Sequence, residues 1–334
     1  MEGQSPYLVV DGCMQAWPDA DYANAHRHGV TVYGVTAFRP HAPIDEALED
    51  LMFWHLIERK YPMTLVAHSV EDIRRARAEG KAAFLLSAQD GEFIGRSLHR
   101  IEAFYRLGLR VLIPAYNAAN AICSGCLDYE DLGLTRFGAL VVDECNRLGM
   151  LLDGSHVGKR STLEMMERSS QPFVFSHSNV KAIVDLARNI DDEQIKACAA
   201  TGGVIGVANY GPFNWKGEGH DWPTIDDMVE HIDYIAQLLG TSQHTGFGSD
   251  MSLGSYPPHP ADPWGKPDYA EPSDPYRKAI GRGSLSPRVS LRDFNSYPEI
   301  LDLADRLLSR GYSDADVHGI LGENFLRVYG QVWK

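Results

Sequence analysis

Short apolar runs alternate along the chain with longer segments whose apolar residues recur at helical spacing. The apolar runs are rich in Val, Ile, Leu and Phe and stop at a small or polar residue, which is typical of buried parallel strands. Several amphipathic segments end at a glycine, such as Gly80, Gly108 and Gly149, as helices commonly do. Strand and helix alternate about eight times without a long linker, which predicts a single (β/α)₈ TIM barrel over residues 1–334.

The individual elements follow from the same patterns. Strands are predicted at 7–10, 30–37, 64–67, 82–87, 110–114, 151–152, 173–175, 203–208 and 245–248. Helices are predicted at 44–59, 70–79, 98–107, 137–148, 160–169, 180–187, 191–200, 225–239, 297–308 and 314–328. A doubly wound open sheet is the runner-up, although no glycine-rich GxGxxG loop follows the first strand.

The last quarter of the chain combines a proline-rich stretch with helices. Prolines stand at positions 257, 258, 260, 263, 267, 272 and 275. Such a stretch is too irregular for a helix or strand, so the segment at about 253–290 is predicted to be a functional loop or lid on the barrel rim. A disordered surface loop is the alternative. The C-terminal helices, at about 297–330, are predicted to close the barrel bottom or to form an oligomer contact.

Composition narrows the class of partner. The net charge of -14 argues against nucleic acid or an anionic membrane, which leaves a small-molecule substrate as the expected partner. Five cysteines in 334 residues do not indicate a disulfide framework and favour a reducing cytoplasm. The first residues resemble no signal peptide, and no stretch reaches the roughly 18 apolar residues of a membrane-spanning helix. A cytoplasmic location is therefore expected.

The candidate chemistry lies where predicted strands end, because a (β/α)₈ barrel carries its active site at the carboxyl ends of its strands. Two consecutive strands are followed by His156 and His177, which would place two imidazoles side by side, as in many metal sites. With Asp250 after the last strand they form a divalent-metal set, and a Cys13 thiolate could complete a tetrahedral zinc site. Asp250 could instead be the general base that activates a water, or merely cap the following loop.

Other polar residues share this strand-end position. They are Gln15, Gln89, Asp90, Tyr116, Asn117, Asn209 and Tyr210. Cys123 and Cys126 form a CxxC pair in a later loop, but no partner pair follows at zinc-finger spacing. This pair could take part in redox or soft-metal chemistry, or be two ordinary loop thiols.

Six segments together resemble the membrane dipeptidase, or renal dipeptidase, family over nearly the whole chain. They are DECNRLGMLLDGSHVG at 143–158, PFVFSHS at 172–178, RN at 188–189, GGVIGV at 202–207, GFGSD at 246–250 and LGENFLRV at 321–328. The resemblance implies a (β/α)₈ metal-dependent hydrolase that cleaves dipeptides with two zinc ions, often accepting a D-residue at the carboxyl side. Related barrels commonly pair, so a homodimer is also open.

The carry-over retains one half of the family's site. The resemblance assigns His156 and His177 to the second zinc, Arg188 to the substrate carboxylate, and Asp250 to the aspartate after the eighth strand. The histidine that lies over the substrate in many members is matched by Tyr116, so Tyr116 and Asn117 are expected beside the substrate.

The other half of the site departs from the family. Cys13 and Gln15 match its first His-x-Asp pair, and Gln89 matches its metal-bridging glutamate. Two divalent cations about 3.5 Å apart need a bridging anion to offset their repulsion, and a neutral glutamine does not supply one. Asp90 is adjacent but should point to the opposite face of its strand. A single zinc ion is therefore expected, with no metal as the alternative.

Two hypotheses remain. In the first, the protein is a metal-dependent hydrolase that cleaves an amide bond in a small carboxylate-bearing, dipeptide-like substrate, with Asp250 as base and with Gln89 and Asp90 beside the substrate. In the second, it is a metal-free relative that binds a small carboxylate ligand or performs non-hydrolytic chemistry with Cys13, Tyr116 and Asp90. Metal content distinguishes the two.

Overall fold

The computed structural model describes residues 5–254 and 290–334. Its strands are β1 (Val10–Ala16), β2 (Val32–Thr36), β3 (Thr64–Val66), β4 (Ala82–Ala88), β5 (Leu109–Leu112), β6 (Leu151–Leu152), β7 (Val174–Phe175), β8 (Val204–Val207), β9 (Thr245–Phe247) and β10 (Ser252–Leu253). Its helices are α1 (Ile44–Lys60), α2 (Val70–Glu79), α3 (His99–Arg106), α4 (Arg136–Leu148), α5 (Lys159–Arg168), α6 (Asp192–Ala200), α7 (Gly211–Asn214), α8 (Ile225–Leu239), α9 (Ile300–Ser309), α10 (Asp314–His318) and α11 (Asn324–Val332).

The strands run parallel and enclose a common core. One sheet has the order β10-β1-β2-β4-β5-β6, with β3 beside β4, and a second has the order β7-β8-β9. A parallel bridge between Asp153 and Val174 joins β6 to β7. After β9 the chain returns to β1, where the Asp250 amide donates to the Cys13 carbonyl oxygen at 2.8 Å. The predicted (β/α)₈ class is confirmed, and the carboxyl ends of β1, β6, β7 and β9 meet at one mouth.

Helix α11 plugs the opposite end of the barrel. Phe325 and Tyr329 pack in one buried cluster with an apolar residue from each of many strands. Those strand residues are Val10, Val32, Leu65, Ala83, Leu85, Val111, Leu151, Val174 and Val204. The ring of Phe325 needs glycine beneath it, because a Cβ on Gly246 would lie 2.5 Å from that ring. Helix α11 thus covers this end of the barrel, which is one of the two roles predicted for the C-terminal helices, while an oligomer contact stays a prediction.

Most predicted elements are present with small shifts of their ends, and two helices match the prediction in full. Helix α2 begins at a Ser69 capping box and ends at Gly80 in the left-handed region. Helix α8 begins at a Thr224 capping box and ends at Gly240 in the same conformation. These helices were predictable because local capping chemistry fixes both of their ends.

Three predictions about elements are corrected. The helix predicted at 180–187 is wrong, because that segment forms turns. Asn179 and the buried His231 hold its start: the Val180 amide donates to His231 Nδ1 at 3.0 Å. The first strand runs to Ala16, so Cys13 and Gln15 lie within β1 and not beyond its end. The tail predicted at 314–328 contains a π-helix (Gly319–Glu323) and extends to Val332.

The described residues do not bear on the remaining predictions. The proline-rich stretch at 257–275 falls in 255–289, outside the described residues. Organisation as a single domain, a cytoplasmic location and a homodimer stay predictions from the sequence. No helix in the described part of the chain combines the length and apolar character needed to cross a membrane.

Candidate metal centre

The two histidines that follow β6 and β7 lie side by side in a buried network. Asp153, at the end of β6, accepts hydrogen bonds at one oxygen from the Ser155 amide at 2.8 Å and the Ser176 amide at 3.0 Å. Ser155 Oγ in turn accepts from the His177 amide at 3.1 Å. The loops are thereby tied together, and His156 Nε2 lies 2.9 Å from His177 Nε2.

The hydrogen-bond partners orient the two rings for a common ligand. His156 Nδ1 lies 2.8 Å from Asn117 Oδ1, an acceptor, so this nitrogen carries the proton. His156 Nε2 then carries the free lone pair of the ring, which points at His177 Nε2. His177 Nδ1 lies 2.8 Å from Ser176 Oγ, a group that can donate or accept. Metal-binding histidines commonly have their second nitrogen fixed in this way.

The electrostatic environment keeps both imidazoles neutral. Burial lowers the pKa of His156 well below its usual value, and the positive charge of Arg188 and the neighbouring His177 lower it further. Burial and Arg188 act in the same direction on the pKa of His177. A neutral imidazole is the form that binds a metal ion, so the pair is ready to act as two ligands without first losing protons.

Cys13 and Asp250 complete a candidate cluster with His177. The sulfur, one ring nitrogen of His177 and one carboxylate oxygen all lie within 4.8 Å of one another. Asp250 has a left-handed backbone, with φ of 56°, which is uncommon for a non-glycine residue and aims its side chain at the mouth. Burial raises the pKa of Asp250 to about 6, while the charge of Arg188 lowers it in part. Burial, with the nearby carboxylates, raises the pKa of the Cys13 thiol.

The residues of the opposite half are satisfied without a cation. Gln89 Nε2 donates to Cys13 Sγ and to Thr36 Oγ1, each at 2.8 Å. Gln15 lies on β1, and its backbone amide donates to the Met251 carbonyl at 2.8 Å. No carboxylate stands at either of these positions, so this half has neutral donors where a second cation would require anions.

Asp11, which the sequence analysis did not single out, supports the cluster from below. This fully buried carboxylate accepts hydrogen bonds from the Ser249 hydroxyl at 2.5 Å, the Tyr297 hydroxyl at 2.9 Å and the Cys13 amide at 3.2 Å. Burial raises its pKa to about 7, although these bonds oppose the shift. Asp11 thereby fixes β1 against the Asp250 loop. An acidic residue within an apolar strand was the signal that could have identified it.

Arg188 lies behind the histidines as a buried cation. Its side chain is 3% exposed, one of its nitrogens donates to the His177 carbonyl at 3.2 Å, and its guanidinium carbon lies 4.9 Å from the Phe213 ring centroid. No carboxylate of the described residues forms an ion pair with it within the 4 Å that define one. A buried guanidinium in this state is suited to an anionic ligand.

Tyr116, Asp90 and an unpredicted residue, His41, line the rim. Tyr116 stacks on His156 with ring centroids 4.0 Å apart and planes at 23°. Asp90 is buried and lies in contact with His41 Nδ1, so it belongs to the rim and not to the cluster around Cys13. No periodicity or motif marks His41, and only its proximity in the fold identifies it.

The five cysteines are free thiols. Cys123 is buried, and Cys126 Sγ lies 3.5 Å from Asn117 Oδ1, so the CxxC pair borders the histidine loop without joining the cluster that contains Cys13. Burial raises the pKa of Cys126 to about 11. Cys145 and Cys198 lie in the core, on α4 and α6.

The donor set suits a zinc ion. Thiolate, imidazole and carboxylate groups are its preferred ligands, and zinc–nitrogen bonds of about 2.0–2.1 Å allow two nitrogens nearly 3 Å apart to share one ion. His177, Cys13 and Asp250 provide such groups within 4.8 Å of one another, and His156 Nε2 lies 2.9 Å from His177 Nε2. The residues present therefore fit a single ion.

A parallel barrel with a histidine–carboxylate cluster at its carboxyl end defines the class of metal-dependent hydrolase barrels. The family described as membrane dipeptidase (peptidase family M19) matches residues 18–261. The chain belongs to this family and is a metallo-hydrolase of the dipeptidase type.

Solved structures give the same class. An amidohydrolase from Pseudomonas aeruginosa is 28% identical, with a TM-score of 0.85 over 98% of this chain and 97% of that one. The probable dipeptidase PvdM from Pseudomonas aeruginosa is 21% identical, with a TM-score of 0.79 over 98% and 96% of the two chains. A metallopeptidase from Rhodobacter sphaeroides, solved with a phosphinate mimic of L-Ala-D-Ala, is 19% identical, with a TM-score of 0.76 over 98% and 100%. At these last two identities the similarity concerns the fold.

Proposed function

We propose that the protein cleaves an amide bond in a small, carboxylate-bearing, dipeptide-like substrate and that it uses one zinc ion. The main support is the histidine pair, in which two neutral imidazoles bring their Nε2 atoms within 2.9 Å of each other, beside the cluster of His177, Cys13 and Asp250. In this proposal His156, His177 and Cys13 hold the ion. When bound, the ion acts as a Lewis acid toward the carbonyl oxygen of the scissile amide.

A single ion follows from the charges of the two halves. The family's bridging carboxylate is matched by Gln89, whose amide nitrogen is occupied by Cys13 and Thr36. Gln15 is also neutral. Two divalent cations about 3.5 Å apart repel strongly unless anions lie between them. With amides at both positions, the second ion has no counter-charge, and the proposed site is mononuclear.

The chain's own residues bind and orient the substrate around this centre. Arg188, buried and without a carboxylate partner among the described residues, binds the substrate carboxylate. Tyr116, Asn117, Gln89 and Asp90 flank the substrate at the rim. Fixing the carboxylate places the scissile amide at a constant distance from the cluster, which is the main benefit of a buried guanidinium here.

Asp250 is assigned as the base. Its carboxylate oxygen lies within 4.8 Å of both the Cys13 sulfur and a His177 nitrogen, so it faces the point where a water would attack the amide. The carboxylate takes a proton from that water and returns it to the leaving amine. The left-handed backbone at Asp250 holds this orientation.

Zinc content and a dipeptide panel test the proposal. Protein purified without chelators should hold about one equivalent of zinc and hydrolyse some members of a panel of L-L and L-D dipeptides, because the site in this proposal holds a single ion. Removing the ion with a chelator should abolish hydrolysis, and adding zinc should restore it. Bound zinc with no hydrolysis of any member would contradict the dipeptidase assignment.

A metal-free relative that binds a small carboxylate ligand is the second candidate. The observation that favours it is the hydrogen bonding of Cys13 by Gln89, which satisfies both side chains in the absence of an ion. Negligible metal in protein that retains binding of an N-acyl amino acid at Arg188 would support this candidate over the first.

A further inference from the structure

Three loops at the barrel mouth converge on the carboxylate of Asp90. One oxygen accepts the His41 backbone amide at 3.1 Å and also lies in contact with His41 Nδ1. The other accepts from the Asn120 side chain at 2.9 Å and the Glu92 amide at 3.2 Å. Asp90 is 2% exposed, so these bonds are sheltered from water. The carboxylate therefore fixes the loops after β2, β4 and β5 relative to one another.

His41 continues this arrangement toward the histidine pair. Its ring meets the Tyr116 ring edge-on, with centroids 6.2 Å apart and planes at 87°. Tyr116 in turn stacks on His156 at 4.0 Å. A continuous series of contacts thus runs from Asp90 through His41 and Tyr116 to His156.

The backbone at His41 shows that the position is specially held. Its φ of 59° is left-handed, a conformation that non-glycine residues rarely adopt. Among the described residues, the other non-glycine positions with positive φ are Asn117, His156 and Asp250. All four lie at the carboxyl end of the barrel, so the unfavourable conformations are concentrated around the candidate centre.

We propose that His41 is a positioning residue for the metal ligand His156 and acts through Tyr116. This inference rests on the proposed function for the role of His156. Asn117 holds His156 at Nδ1 and His177 contacts it at Nε2, but two contacts in the plane of the ring leave it free to rotate about the line that joins these two nitrogens. Tyr116 packs against the face of the ring and removes that freedom, and the Asp90–His41 pair keeps Tyr116 in place. Partners of this kind commonly change metal affinity about 10- to 100-fold.

His41→Asn removes the ring contact with Tyr116 but keeps a hydrogen-bond donor for Asp90. Asparagine can still donate to Asp90 and tolerates a left-handed backbone, but it has no ring to meet Tyr116. His318→Asn is the matched control. His318 also pairs with a carboxylate, Asp314 at 3.5 Å, and also meets a tyrosine, Tyr7, at a 4.7 Å centroid distance, but it lies near the barrel bottom.

Two measurements test the inference. Zinc affinity, determined by competition with a chromophoric chelator, should fall about tenfold in His41→Asn and remain unchanged in His318→Asn. In metal-free protein, modification of His156 by diethyl pyrocarbonate, followed by mass spectrometry, should become several-fold faster in His41→Asn alone. Melting temperature should stay near that of the wild type in both variants.

A double variant decides whether the effect passes through Tyr116. Tyr116→Ala should reproduce the loss of affinity and the faster modification, and adding His41→Asn to it should change neither quantity further. Unchanged His156 modification in His41→Asn would overturn the inference, as would additive effects in the double variant. A wild-type protein that binds no zinc would refute the metal centre, while His156 modification would still decide the role of His41.

Discussion

The two halves of the barrel mouth pair their polar side chains differently. At the ends of β6 and β7, His156 and His177 have their backbones fixed by Asp153 and their rings oriented by Asn117 and Ser176. At β1 and β4, Cys13 and Gln89 hydrogen-bond to each other. The first, the open half, brings two neutral ring nitrogens within 2.9 Å of each other, whereas in the second, the closed half, the Cys13 thiol is bonded to a neutral amide.

In the proposed function, this difference converts a binuclear framework into a mononuclear one without loss of the fold. Replacement of a carboxylate by glutamine preserves shape and hydrogen bonding but removes the charge that two adjacent cations require. The buried Asp11 remains and keeps β1 against the loop that carries Asp250. The backbone of the closed half is thus held in place, so side chains of the two halves can be substituted and compared in one scaffold.

The largest expected effect is loss of the metal from the open half. His177→Ala removes one of the two converging Nε2 atoms, and zinc affinity should fall at least about 1000-fold, because two strong ligands act together in one site. Competition with a chromophoric chelator measures it. His244→Ala is the control, since His244 bonds to the Gly203 carbonyl at 2.8 Å, outside the cluster. Retention of zinc by His177→Ala would assign the metal to a cysteine-based site.

Substrate binding behind the open half should show the next largest effect. Arg188→Gln removes the buried charge, and KM for a dipeptide should rise about 10- to 100-fold with a smaller change in kcat, because a charge-assisted hydrogen bond to the carboxylate is lost. Arg160→Gln is the control, since Arg160 pairs with Glu164 on the surface. Steady-state kinetics test this, and an unchanged KM in Arg188→Gln would place the carboxylate elsewhere.

The smallest expected effect is one extra equivalent of zinc in a restored closed half. Cys13→His, Gln15→Asp and Gln89→Glu together reintroduce the family's ligands, and stoichiometry should rise from about one ion to about two, because the new carboxylates offset the repulsion. Elemental analysis measures it. The control combines Cys13→His with Gln15→Asn and leaves Gln89 unchanged. Positions 15 and 89 then stay neutral, and this variant should bind about one ion. A triple variant that also stays at one would show that charge alone does not set the number.

The barrel, the helices with strong caps and the histidine pair could all be predicted from the sequence alone. The apolar runs of strands and the glycines at helix ends are local properties of the sequence. Residues that follow consecutive parallel strands must meet at one edge of the sheet, so His156 and His177 could be placed side by side before the fold was known. The helix predicted at 180–187 was wrong, because this segment forms turns and its start is hydrogen-bonded to the buried His231.

The groups that surround the histidine pair could be identified only from the tertiary structure. Asp11 contacts Tyr297 and Ser249, and His41 contacts Asp90 and Tyr116, across separations that no sequence period connects. The same holds for the closure of Cys13 on Gln89, since a hydrogen bond between two strands depends on their spacing and not on either residue alone. The sequence predicted the candidate ligands because His156, His177 and Asp250 follow strands, whereas only the packing shows which of the candidates lie together.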